Sequence, residues 1–161
     1  MGDGVDIKIK GLDEALAKLN ATKAAAIKLR AAKAGARVLQ SAIEANTPVS
    51  TQWSDGSDAL PPGFMKSDVA ISTVKGTAKS DNPTVSVHFG KYSKHIAHML
   101  EFGFVLTGHK PNKKKIRLIS TRMGFARSAF DTAQGDVADA IKAQLEADMQ
   151  KAFKTGEEPK D

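Results

Sequence analysis

Val5, Ile7 and Ile9 alternate with Asp6, Lys8 and Lys10, a period of two that predicts a short half-buried strand ended by Gly11. The period then lengthens. Leu12, Leu16 and Leu19, followed by Ile27, Ala31, Ala34, Val38, Ala42 and Ile43, recur at helical spacing. They predict a long helix over roughly 13–45, capped by Asp13 and weakened near 20–22 by two poor helix formers. Asn46, Thr47 and Pro48 stop it, because proline disfavours helical geometry at the residue before it. Residues 48–63, PVSTQWSDGSDALPPG, then hold three prolines, two glycines and the chain's only tryptophan. A loop of that length inside a domain is usually functional or mobile.

Strand periodicity returns at Val69, Ile71 and Thr73, set between Asp68, Ala70 and Ser72, and predicts a strand over 66–75. GTAKSDNP is a turn by composition, and Val85, Val87 and Phe89 alternate with Ser86 and His88 up to Gly90. The two runs predict an antiparallel hairpin with one apolar face. A short helix over 92–102, ending at Gly103, precedes a final helix on which Phe130, Ala133, Val137, Ile141, Leu145 and Met149 form one stripe over 131–153. The expected fold class is α+β: a small antiparallel β-sheet packed against two long helices, with a long loop and an extended β-hairpin-like arm. A single domain over 1–155 is expected, with a mobile loop at 47–64, an arm at 104–122 and a frayed tail at 156–161.

The arm has no evident use inside a domain. Phe104, Val105 and Leu106, then Ile116, Leu118 and Ile119, bracket a tip rich in Gly, Pro, Asn and Lys. From 105 to 130 there is no acidic residue, whereas Lys110, Lys113, Lys114, Lys115, Arg117, Arg122 and Arg127 supply positive charge. Apolar flanks with a cationic tip suit contact with a neighbouring subunit, a partner ring or a polyanion. Contact candidates are therefore Phe104, Leu106, Lys110, Lys113, Lys114, Lys115, Ile116, Arg117 and Leu118, with Trp53 in the loop either tucked into its own core or anchoring an interface. Asp131, Asp136, Asp139, Glu146 and Asp148 on the final helix offer an acidic counter-surface.

Composition narrows the classes of function. A net charge of +6 favours acidic surroundings, nucleic acid included. The basic residues of the long helix, Lys18, Lys23, Lys28, Arg30, Lys33 and Arg37, read most simply as a solvated face and alternatively as a nucleic-acid surface. No zinc-finger spacing or aromatic ribonucleoprotein signature is present, so any DNA contact is expected to be sequence-nonspecific. Cysteine is absent, which removes disulfides and thiolate metal sites and fits a reducing cytosol. No apolar run reaches the roughly 18 residues that a membrane span needs, and the acidic start MGDGVDIKIKG lacks the apolar core of a secretory leader.

Catalytic signatures are missing too. His95, His98 and Glu101 recur at three-residue spacing and lie near one helix face, a weak metal candidate that His88 and His109 would complete only by chance of fold. Ordinary polar residues on a surface helix are the preferred reading, so no cofactor, metal or enzymatic activity is expected.

The order of short motifs carries a resemblance. Gly11-Leu12-Asp13-Glu14 leads an Ala- and Lys-rich helix ended by Thr47-Pro48, and a strand is expected from Met65-Lys66-Ser67. Tyr92 through Ala97 then runs into Leu100-Glu101-Phe102-Gly103, and Phe125-Ala126-Arg127-Ser128-Ala129-Phe130 precedes the last helix. In this order the chain resembles the tail-completion, or head-tail joining, proteins of long-tailed bacteriophages with non-contractile tails. Its most specific piece is the Glu-Phe-Gly after the short helix, paired with the Phe and Arg-x-Ala before the final one. The resemblance implies a structural protein of the virion neck, assembled in the host cytoplasm. It also implies a hexameric ring that meets a head-side connector or stopper protein and the tail tube protein. On that reading the basic arm faces an acidic partner surface in preference to DNA in the lumen.

Overall fold

The computed structural model describes residues 21–49, 61–103, 105–107, 115–118 and 123–155. The expected strand at 5–9, the first turns of the long helix, most of the 48–63 loop with Trp53, Phe104, the arm tip at 108–114 and the C-terminal tail lie outside them. The fold is α+β. Helix α1 spans Ala21–Asn46, and a single helical turn, α2, spans Phe64–Ser67. Strands β1 (Val69–Thr73) and β2 (Val85–Phe89) follow, then α3 (Lys94–Phe102), β3 (Val105–Thr107), β4 (Lys115–Leu118) and the long α4 (Phe125–Thr155).

β1 pairs with β2 and β3 with β4. Hydrogen bonds from Val74 N–H to Thr84 C=O (2.9 Å) and from Gly90 N–H to Asp68 C=O (2.8 Å) frame the first pair as an antiparallel hairpin. Its strand starts later than expected, since 64–67 is helical. Gly63 takes the left-handed conformation (φ 80°), Phe64 N–H reaches the Pro61 carbonyl, and the Ser67 hydroxyl donates to the Phe64 carbonyl. That local bonding closes a turn where alternation alone reads as extended.

The chain divides into two compact units: residues 1–38, 71–86 and 134–161, and residues 39–70 and 87–133. In the first, Ile27 and Ala31 of α1 pack with Leu145 of α4, flanked by Ile141 and Ala152. The helices meet closely at Gly35, where a Cβ would lie 2.7 Å from Ile141 Cγ1 and 3.2 Å from Val137 Cγ1. Arg30 Nε sits 3.2 Å from Asp148 Oδ2 in the same unit. At the hairpin end, Gly76 (φ 87°) turns the chain, and Thr77 Oγ1 both donates to the Val74 carbonyl and accepts from Thr84 N–H.

Gly135, exposed in the middle of α4, is a different case, because a Cβ there would have no neighbour within 4 Å. Gly135→Ala should therefore raise the unfolding free energy by about 0.5–1 kcal/mol through chain entropy and helix propensity, read as a higher urea midpoint. An unchanged or lower midpoint would contradict this.

In the second unit the core joins Ile43 of α1, Val69 of β1, Ala97 of α3, and Phe125 and Ala129 of α4. Val87, Phe89 and Leu100 pack against it, and Phe89 meets Phe125 edge-on at 5.9 Å. The apolar strand face is thus covered by three helices, α3 adding to the two long ones expected. Gln40 Nε2 donates to the Val69 carbonyl (2.8 Å) and ties α1 to β1. α1 ends as expected, and the buried Thr47 hydroxyl donates back to the Ile43 carbonyl at 2.6 Å.

Candidate interaction surface

Nine residues of α3 do two jobs. Its inner side carries Ala97 and Leu100 toward the core, and Ser93 just before it is fully buried, with its hydroxyl donating to the Asp68 carboxylate. Gly90, at the end of β2, lies so close to Asp68 that a Cβ would collide with that carboxylate. Asp68 thereby fixes the step from β2 into α3.

The outer side of α3 is apolar as well. Ile96, Met99 and Phe102 are exposed, and so is Tyr92 ahead of the helix. Tyr92, Ile96 and Met99 follow at four- and three-residue spacing, which sets them on one face. Ile96 and Leu100 also line an apolar groove of about 370 Å³ with Val49, Phe64, Met65 and Met123. Sequence reasoning missed this second apolar stripe. Its signal was present, because Ile96 and Met99 widen the apolar side of the helix beyond what Ala97 and Leu100 need for one contact.

Glu101 is the other unforeseen participant. Its carboxylate accepts from Ala126 N–H (2.9 Å) and Arg127 N–H (3.1 Å), holding the first turn of α4 against the last turn of α3. Two of the amides that an α-helix leaves without intrahelical partners are satisfied this way, with negative charge at the positive end of the helix dipole. Met123 N–H bonds the Leu100 carbonyl (2.9 Å) alongside, and glycines at Gly103 (φ 78°) and Gly124 (φ 57°) make the two bends. The Glu-Phe-Gly and Phe-x-Arg-x-Ala motifs are therefore one structural joint. Glu101 faces α4 while His95 and His98 are exposed, and His98 packs on Phe102 at 4.8 Å between ring centroids. Among the described residues no group of three or more His, Cys, Asp or Glu is placed to hold a metal ion.

The arm's backbone forms the expected antiparallel pair, with Val105 opposite Leu118 and Thr107 opposite Lys115, and an irregular register between them. Leu106 lies on β3, and Lys115, Ile116, Arg117 and Leu118 lie on β4. Trp53, Phe104, Lys110, Lys113 and Lys114 fall outside the described residues. On α4, Asp131, Asp136, Asp139 and Glu146 are exposed. Asp148 does not share that surface: it is 8% exposed and engaged by Arg30. Burial of a carboxylate demands such a cation, and the α1–α4 register that supplies it cannot be read from α4 alone.

Comparison with known families gives this surface a context. The model of the HK97-gp10-like family, described as a bacteriophage HK97 gp10 tail component, matches residues 10–103. That is more than half of the chain, and the protein belongs to this family. It is a structural component of a phage tail, located in the virion and in contact with other virion proteins. No curated protein and no solved structure matches. Among the described residues no helix is long and apolar enough to cross a membrane.

Proposed function

We propose that this tail component is the subunit of a hexameric ring at the phage neck. The ring completes the tail, with the tail tube protein on one side and the head-side connector or stopper protein on the other. The observation that carries the reading is the family match over 10–103, together with the Glu101 joint that continues the same motif order into α4. The role is structural, without catalysis. The segments proposed to order on neighbours are the loop at 47–64 and the arm at 104–122. Trp53, Phe104, Leu106, Ile116 and Leu118 act as apolar anchors, and Lys110, Lys113, Lys114, Lys115 and Arg117 as cationic contacts. Ring subunits need such heterologous contacts, which close by rotation.

The mass of the purified protein by light scattering across a concentration series, followed by negative-stain images, tests the ring. Closed particles with a central hole are expected, and a monomer that persists even with tail tubes present would sink the reading. Charge reversal at Lys113, Lys114 and Lys115 should abolish assembly, and rings that form undisturbed would remove the arm from the contact. A second reading, nonspecific DNA binding, draws on the acid-free run from 105 to 130. It predicts retardation of duplex DNA at physiological salt that fades steeply as salt rises.

A further inference from the structure

Two surfaces that stay exposed among the described residues complement one another. On and just before α3, Tyr92, Ile96, Met99 and Phe102 stand 36–66% exposed, a mainly apolar face, with the exposed His95 between Met99 and Phe102, on a helix already packed on its other side. Lys91 and Lys94 flank it, both exposed. From 91 to 103 the one acidic residue is Glu101, which is occupied by the amides of Ala126 and Arg127. The face is therefore apolar in the middle and basic at its edge.

On α4, Asp131, Gly135 and Asp139 follow at four-residue spacing and share one exposed face, with Asp136 beside them. No basic residue interrupts 131–141. At its centre Gly135 weakens the helix that carries it, and among the described residues no atom lies within 4 Å of where its Cβ would be, so none of them requires glycine there. Gly35 is the contrast, since Ile141 and Val137 fill the space its Cβ would take. A bare backbone amid carboxylates admits bulky side chains from outside and pairs with a basic rim.

We propose that the α3 face of one copy docks across the Asp131, Gly135 and Asp139 face of a second copy. Met99 and its neighbours fill the space over Gly135, and Lys91 and Lys94 meet the aspartates. The contact is heterologous, because each copy offers both surfaces, and repetition around an axis closes a ring. It rests on the reading that the protein assembles from copies of itself, and assigns that assembly an apolar centre in addition to the arm.

The absence of cysteine makes the test clean. Full-length protein carrying Met99→Cys is mixed with protein carrying Thr132→Cys and treated with a short bismaleimide. Cross-linked dimers are expected in that mixture, and neither from each variant alone nor from Met99→Cys mixed with Lys79→Cys. A mixture no better than the Lys79 control overturns the proposal, as does equally strong coupling of Met99→Cys to itself. Independently, Asp136→Lys with Asp139→Lys should weaken self-association at least about tenfold, with recovery when the partner carries Lys91→Glu and Lys94→Glu. Unchanged association in the reversed variant also overturns it. An oligomer seen by light scattering in parent protein whose cysteine mixture stays silent refutes this contact and leaves the ring standing. Absence of any oligomer, with or without tail tubes, brings down both.

Discussion

Glu101→Ala is expected to lower the free energy of unfolding by about 2–3 kcal/mol, one of the two largest effects foreseen for a single substitution in this chain. The carboxylate is half-buried and accepts two amides, at 2.9 and 3.1 Å, from the first turn of α4. Hydrogen bonds to a charged acceptor contribute about 1.5–3 kcal/mol each when well buried, and here one bond is only part-buried and the other exposed, so water recovers a share of each and about 2–3 kcal/mol is left with the helix dipole included. Alanine removes both bonds at once and leaves the Ala126 amide, the less exposed of the two, without that acceptor. For a chain of this length the change corresponds to a melting temperature lower by roughly 5–10 °C. Glu101→Gln keeps one acceptor oxygen without the charge, so about half the loss is expected. Urea unfolding of the three proteins decides the matter. An alanine variant within about 0.5 kcal/mol of the parent would mean that water replaces the carboxylate at little cost. Excess zinc should move none of the three midpoints, whereas a metal-binding role for His95, His98 and Glu101 requires the parent alone to respond.

Gly35→Leu should be comparably damaging, at about 3 kcal/mol, for a reason of volume instead of charge. The added Cβ alone would lie 2.7 Å from Ile141 Cγ1, and the rest of the leucine would have to occupy the space of Val137 and Ile141. Dense interiors transmit such an intrusion as a displacement of the helix. Gly35→Ala divides the effect into its parts. It gains about 1 kcal/mol of helix propensity and loses against the Ile141 clash, so a net change within about 1 kcal/mol is expected. A double-mutant cycle is the sharper measurement. Gly35→Leu combined with Ile141→Ala should recover more than half of the leucine penalty, since each removes the other's problem. Strict additivity would show that the helices are not in contact at this point.

Much of the secondary structure was legible because it is written in single periods. Val69 and Ile71, with Val87 and Phe89, alternate as strands, and the stripe from Ala133 to Met149 repeats as a helix, each placing the residues that its period marks at buried or half-buried positions. What escaped depends on partners distant in sequence. Asp148 looks solvated from its own helix and is buried because Arg30 arrives from α1. Glu101 reads as an ordinary polar residue of a surface helix, or more weakly as a metal ligand from its spacing to His95 and His98, and instead receives two amides from a segment 25 and 26 residues further on. The helical turn at 64–67 escaped for a local reason, the left-handed Gly63, which alternation does not report. The α3 surface was overlooked because a short helix between a sheet and an arm invites the assumption of a single apolar side, and the residues there supply two.

The joint at Glu101 also bears on how freely the segment between its two halves can change in length. The two feet of the arm are held together by Glu101 on one side and by the Leu100 carbonyl on the other, and the family match stops at residue 103, on the near foot. Once its ends are fixed, a segment between them can lengthen with only a logarithmic entropy penalty, about 0.6 kcal/mol for each doubling. A longer segment at this site thus costs the body of the protein little chain entropy. The length of the arm is in this way uncoupled from the joint, and from the packing of α3 against α4 that the joint holds.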